Sequence, residues 1–66
     1  MNIILNGKQF SIDKKMSIKD ILVQNNIGGK NIVVEVNKEI ISKSQWDQTI
    51  LKENDQIEII TAVGGG

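Results

Sequence analysis

The sequence predicts an α+β domain of two layers, with one helix laid across one face of a mixed sheet, and three observations carry that expectation. The aliphatic residues are dominated by β-branched types, 13 Ile and 5 Val against 3 Leu, which favours strands. Strand-like runs at residues 2–12, 31–41 and 56–63 surround a single stretch, residues 17–27, whose apolar positions follow a helical period. Pairs rich in Asn and Gly punctuate the boundaries. An apolar sheet face and an apolar helix stripe must each be covered, and here they can cover each other.

The first element is a hairpin. Asn6-Gly7 in "NIILNGKQFSI" is the dipeptide favoured by a two-residue type I′ turn, in which both central residues need positive φ. With those two as the loop, Leu5 opposes Lys8, Ile3 opposes Phe10 and Met1 opposes Ile12. The large apolar residues then share one face, and Ile4, Gln9 and Ser11 take the other. The helix follows in "SIKDILVQNNIGG". Ser17 and Asp20 form a capping box with the shorter acid, Ile18, Ile21 and Leu22 fall on one side, and Gly28-Gly29 supply the stop. About ten residues of helix provide one apolar stripe, enough to cover one sheet face.

After the glycines, "NIVVEV" reads as a strand, Asn37-Lys38 as a tight connection and "EII" as a short strand. Residues 42–53 read as a long connection with one helical turn around Trp46, whose ring closes the open end of the core. Asn54-Asp55 is a turn into the last strand, "QIEIITAV", with Ile57 and Ile59 inward and Glu58 and Ile60 outward. No repeat, linker or second domain interrupts this order. Residues 1–63 are expected to form one domain with a four- to five-stranded sheet, and residues 64–66 a flexible glycine tail. The outline fits the β-grasp, or ubiquitin-like, arrangement as one of several two-layer α+β folds.

Composition excludes several kinds of function. A 66-residue domain has one thin core, burying roughly 60% of its unfolded surface. The 8 Lys balance 8 acidic residues, Arg is absent and no basic run exceeds Lys14-Lys15, which makes nucleic acid and anionic membrane poor partners. With no Cys and no His there is no disulfide frame, thiolate metal site or imidazole base. No catalytic residue, metal ligand or bound cofactor is therefore expected. Asp47, Glu53 and Asp55 lie in a Lys- and Asn-rich loop that reads as solvated. Residues 1–16 lack the pattern of a signal peptide and no stretch has transmembrane length, so the cytoplasm is the expected compartment. "GGKN" lacks both the glycine spacing and the hydroxyl residue of a phosphate loop.

What the domain leaves unexplained is its last stretch, "ITAVGGG". A packed domain gains nothing from terminal glycines, whose ordering is entropically costly. Together with the NG hairpin, "SIKDIL", "VVEVNKEII" and "NDQIEIITAVGGG", this ending closely resembles the ThiS family, the bacterial sulfur carriers of thiamine biosynthesis, over nearly the whole sequence. One departure is Asn54, where the family commonly has Gly; Asn also tolerates the left-handed conformation.

The resemblance implies that the α-carboxylate of Gly66 is adenylated by an ATP-consuming activating enzyme of the ThiF type. A sulfur donor enzyme then allows its conversion to a thiocarboxylate, which delivers sulfur to a thiazole synthase of the ThiG type. It implies a carrier, monomeric alone, whose Gly64 and Gly65 thread partner active sites because residues without Cβ are slim. For recognition, Ile4, Val33 and Ile60 are expected to form an apolar patch on the sheet face away from the helix, flanked by Glu35 and Glu58, that docks both enzymes in turn. Two alternatives share the same ending: a sulfur carrier for molybdopterin synthesis, and a ubiquitin-like modifier or interaction module.

Overall fold

The computed structural model describes residues 1–28 and 31–61. Strand β1 (Asn2–Leu5) turns back into β2 (Lys8–Ser11), and helix α1 (Ile18–Gln24) follows. Strands β3 (Ile32–Val36) and β4 (Glu39–Ile41) form a second hairpin, a 3-10 turn covers Lys43–Gln45, and β5 (Gln56–Thr61) closes the order. The sheet has five strands in the order β2-β1-β5-β3-β4. β5 runs parallel to β1 and antiparallel to β3, so the sheet is mixed and its last strand is central.

The first hairpin has the expected register, with Ile3 opposite Phe10 and Leu5 opposite Lys8. Asn6 and Gly7 both take positive φ, 49° and 82°, as a type I′ turn requires. Asn37 and Lys38 do the same at 52° and 70°, and Asn54 at 67° sits in the left-handed position foreseen for it. The helix start also follows the expectation: Asp20 N–H donates to Ser17 Oγ and Ser17 N–H donates to the Asp20 carboxylate. Ile18, Ile21 and Leu22 are the helix's buried residues.

The helix end differs from the expectation. α1 is seven residues long and stops at Gln24, before the glycines. Asn26 takes φ 56°, its N–H bonds to the Val23 carbonyl, and Ile27 N–H reaches back to the Leu22 carbonyl at 2.8 Å. That pair of bonds is the Schellman closure, with asparagine in the position more often held by glycine. The stop therefore belongs to Asn25-Asn26 and not to Gly28-Gly29, of which Gly29 lies outside the described residues.

The core lies between α1 and the inner sheet face. Ile3, Leu5, Val34, Ile57 and Ile59 meet Ile18, Ile21 and Leu22, with Ile12, Met16, Trp46 and Leu51 around the margin. Trp46 is buried, and its indole N–H donates to the Ile41 carbonyl at 3.0 Å, which satisfies its one donor at the end of the core. Phe10 departs from the expected core: it is 41% exposed although it shares a face with Ile3. β2 is an edge strand, so Phe10 has a neighbouring strand on one side alone.

The long connection after β4 is tied to the rest of the fold through its backbone. Ile18 N–H bonds to Thr49 O, and Leu51 N–H bonds to Met16 O, strapping residues 49–51 beneath the start of α1.

Candidate functional site

The outer face of the sheet, opposite α1, is built by the strand alternation itself. Inward Ile57 and Ile59 leave Gln56, Glu58 and Ile60 outward; inward Val34 does the same for Val33 and Glu35. The antiparallel register then places Val33 directly opposite Ile60, and Glu35 directly opposite Glu58. Val33 and Ile60 are 40% and 50% exposed. Four of the five residues expected to form a docking patch are thus brought together as two adjacent cross-strand pairs.

Ile4 stands apart. It shares the face and is half-buried, but its partner on β5 is Gln56, four residues before Ile60. At about 3.3 Å per residue that is roughly 13 Å along the strand, with Glu58 between them. The apolar patch is therefore interrupted by the acidic row and not continuous from Ile4 to Ile60.

One outward residue escaped the sequence reading. Ile40 on β4 lies opposite Glu35 and is 71% exposed. The signal was present, because a two-residue loop at Asn37-Lys38 fixes Glu35 against Ile40 as surely as Asn6-Gly7 fixes Ile3 against Phe10. The outer face thus carries two carboxylates opposite one another, with Ile40 on one flank of Glu35 and the Val33–Ile60 pair one row away. Like charges directly opposite across strands are unfavourable, so the arrangement suits a partner presenting a cation between apolar contacts.

Two of the loop carboxylates, Glu53 and Asp55, have structural partners. Glu53 accepts from Asn2 N–H at 3.1 and 3.2 Å. Asp55 accepts from Asn37 Nδ2 at 3.0 Å and from Lys52 N–H at 2.8 Å, so it joins two turns. A groove of about 410 Å³ on the helix side is lined by Leu22, Val23, Ile27, Ile32 and Trp46, with Lys43 among its polar residues. Among the described residues no three His, Cys, Asp or Glu side chains are grouped to hold a metal ion, and no helix is long and apolar enough to cross a membrane. Gly64, Gly65 and Gly66 lie outside the described residues. The last described residue, Thr61, pairs with Ile32 at the end of central strand β5.

A short helix on one face of a mixed β2-β1-β5-β3-β4 sheet, with an open opposite face and a central last strand, defines a ubiquitin-like β-grasp protein. The crystal structure of the thiamine biosynthesis protein ThiS from Geobacter metallireducens superposes with a TM-score of 0.84 at 28% identity, covering all of both proteins. The ThiS family's sequence model matches residues 3–66, and the chain belongs to that family. The sulfur carrier protein ThiS of Bacillus subtilis is 41% identical over 63 residues, which are 94% of this chain and 96% of that protein. A thiazole synthase of Paramagnetospirillum magneticum is 29% identical over all 66 residues, and the chain spans 20% of that protein's length.

Proposed function

We propose that this protein, a ThiS-type sulfur carrier of thiamine biosynthesis, works through the α-carboxylate of Gly66. A free carboxylate resists nucleophiles, because its charge repels them and oxide leaves poorly. Attack of a carboxylate oxygen on the α-phosphorus of ATP releases pyrophosphate and leaves an acyl-adenylate. A sulfur nucleophile can then displace AMP, and the resulting thiocarboxylate is itself nucleophilic enough to pass sulfur into a growing thiazole ring. The carrier holds no cofactor; ATP is consumed by the activating enzyme.

The observation that carries this reading is the family match, which runs through Gly64, Gly65 and Gly66. The fold supports it by placing β5, the strand that precedes the glycines in the sequence, at the centre of the sheet. Gly64 and Gly65 offer no Cβ to a narrow channel, at an ordering cost of roughly 1 to 2 kcal/mol per residue for the backbone. The partners are an activating enzyme of the ThiF type, a sulfur donor enzyme and a thiazole synthase of the ThiG type. A relationship between this sequence and thiazole synthases supports the last of these. The docking face is the outer sheet surface, centred on Val33–Ile60 and Glu35–Glu58 with Ile4 at its far end. The carrier is a cytoplasmic monomer that engages its enzymes one at a time.

Intact mass spectrometry of the protein from its native cytoplasm tests the reading, with a Gly66-deleted variant alongside. The expected result is one oxygen-to-sulfur exchange at the C-terminus, absent from the variant. An unmodified or lysine-linked protein, with a variant that still supports thiazole formation, would overturn it.

A further inference from the structure

We propose that Asn6-Gly7 is a latent site of covalent modification, a reactive amide pair whose cyclisation is blocked by the very turn and strand contact that the pair makes. In the reaction, the Gly7 nitrogen attacks Asn6 Cγ. A bond forms between them, the bond from Cγ to Nδ2 breaks and ammonia leaves, carrying the proton lost by Gly7. Water then opens the five-membered imide at either carbonyl. One opening yields aspartate; the other yields isoaspartate, in which the backbone runs through Cβ. Glycine is the follower that permits this best, because no Cβ shields its nitrogen and its backbone rotates freely. No reactant beyond the protein and water is needed.

The fold opposes the reaction twice. First, Asn6 and Gly7 sit at φ 49° and 82° in a type I′ turn. Ring closure requires the Gly7 nitrogen to swing about the Asn6 Cα–C bond until it lies beside Cβ, and that rotation is incompatible with the left-handed turn. Second, the carboxamide is held elsewhere. Ile59 N–H donates to Asn6 Oδ1 at 2.8 Å, while Asn6 N–H donates to the Ile57 carbonyl at 2.9 Å. In a parallel ladder the Ile59 N–H would meet the backbone carbonyl of residue 6; the turn directs that carbonyl away, and the carboxamide takes its place. Asn6 is thus the last rung between β1 and β5 as well as the first residue of a turn.

The strand contact is lost when the hairpin separates from β5 and the turn is lost when the hairpin itself opens, so the rate of modification should report local opening of this corner of the sheet. The two products then diverge. Aspartate keeps an acceptor oxygen for Ile59 N–H. Isoaspartate inserts a backbone atom into a two-residue loop and moves the acceptor. Because Ile59 stands between Glu58 and Ile60, the isoaspartate form should also disturb the outer face. That last consequence rests on the docking role proposed above; the chemistry does not.

The test incubates the full-length protein at mildly alkaline pH, folded and in urea, and follows each asparagine by peptide mapping. In urea Asn6 should convert first. In the folded protein its conversion should be slower by roughly tenfold or more, the factor set by about 1.4 kcal/mol, within the range of one net hydrogen bond. The purified isoaspartate form should unfold at lower urea than Asn6→Asp, which should remain close to the parent. Equal rates in folded and unfolded protein, or an isoaspartate form as stable as Asn6→Asp, would overturn the proposal. The readouts are chemical conversion and stability, so they stand whether or not Gly66 carries sulfur.

Discussion

The two faces of the sheet obey opposite rules. The inner face presents Ile3, Leu5, Val34, Ile57 and Ile59 to the helix, with Ile3 and Val34 fully buried, and its charged residues, Lys8 opposite Leu5 and Glu39 opposite Val36, stand on the edge strands β2 and β4. The outer face presents Val33, Ile40 and Ile60 to solvent and sets Glu35 against Glu58. A surface chosen for stability alone would pair opposite charges across strands and keep large aliphatics few. The contrast teaches that one face makes the domain fold, while the other is not arranged for stability, which is what the docking role proposed for it requires.

Substitutions can break or sharpen that contrast. The largest loss is expected on the inner side: Leu22→Ala removes a buried side chain from the helix stripe and should cost about 2 to 5 kcal/mol, comparable to the whole stability of so small a domain. An unchanged urea midpoint would remove Leu22 from the core. On the outer side, Ile60→Asp should leave the midpoint nearly untouched while weakening binding to the activating enzyme by roughly tenfold or more. Full affinity in a folded variant would detach the outer face from docking.

Smaller effects refine the picture. Ser17→Ala removes the side-chain half of the capping box and should cost about 1 kcal/mol, read as a lowered denaturation midpoint with α1 otherwise intact. The smallest effect has the opposite sign. Glu58→Gln relieves the like-charge pair with Glu35, so the midpoint should rise slightly at low salt and the gain should shrink as salt is added. A stabilised variant with weakened docking would show that the outer face keeps its charge at the expense of stability.

Much of this was legible in the sequence wherever a local rule had little competition. Asn6-Gly7 set the first hairpin and its register, because few dipeptides accept two positive φ values. Ser17 and Asp20 set the helix start, because their reciprocal bonds need only three residues of spacing. The helix stop was misplaced for a reason of the same kind: glycine is the usual left-handed residue, and Asn26 takes that position earlier in the sequence. Phe10 shows a different failure. Alternation gives its face correctly, but whether that face is covered depends on β2 being an edge strand, a fact of strand order that no period in the sequence contains. The outer pairs lie between these cases. Their direction came from alternation, whereas the separation of Ile4 from Ile60 came from the parallel offset between β1 and β5.

That offset, and the central place of β5, also decide how the protein bears a load. A pull on the backbone beyond Thr61 acts along β5, which is hydrogen-bonded to β1 on one side and β3 on the other. Force in that direction shears both ladders at once, so several bonds share the tension; a strand peeled from an edge would lose them one after another. An enzyme that drew the glycines into a narrow passage, as proposed above, would therefore tug on an anchored cable, and the domain could be held at the passage mouth without being unravelled.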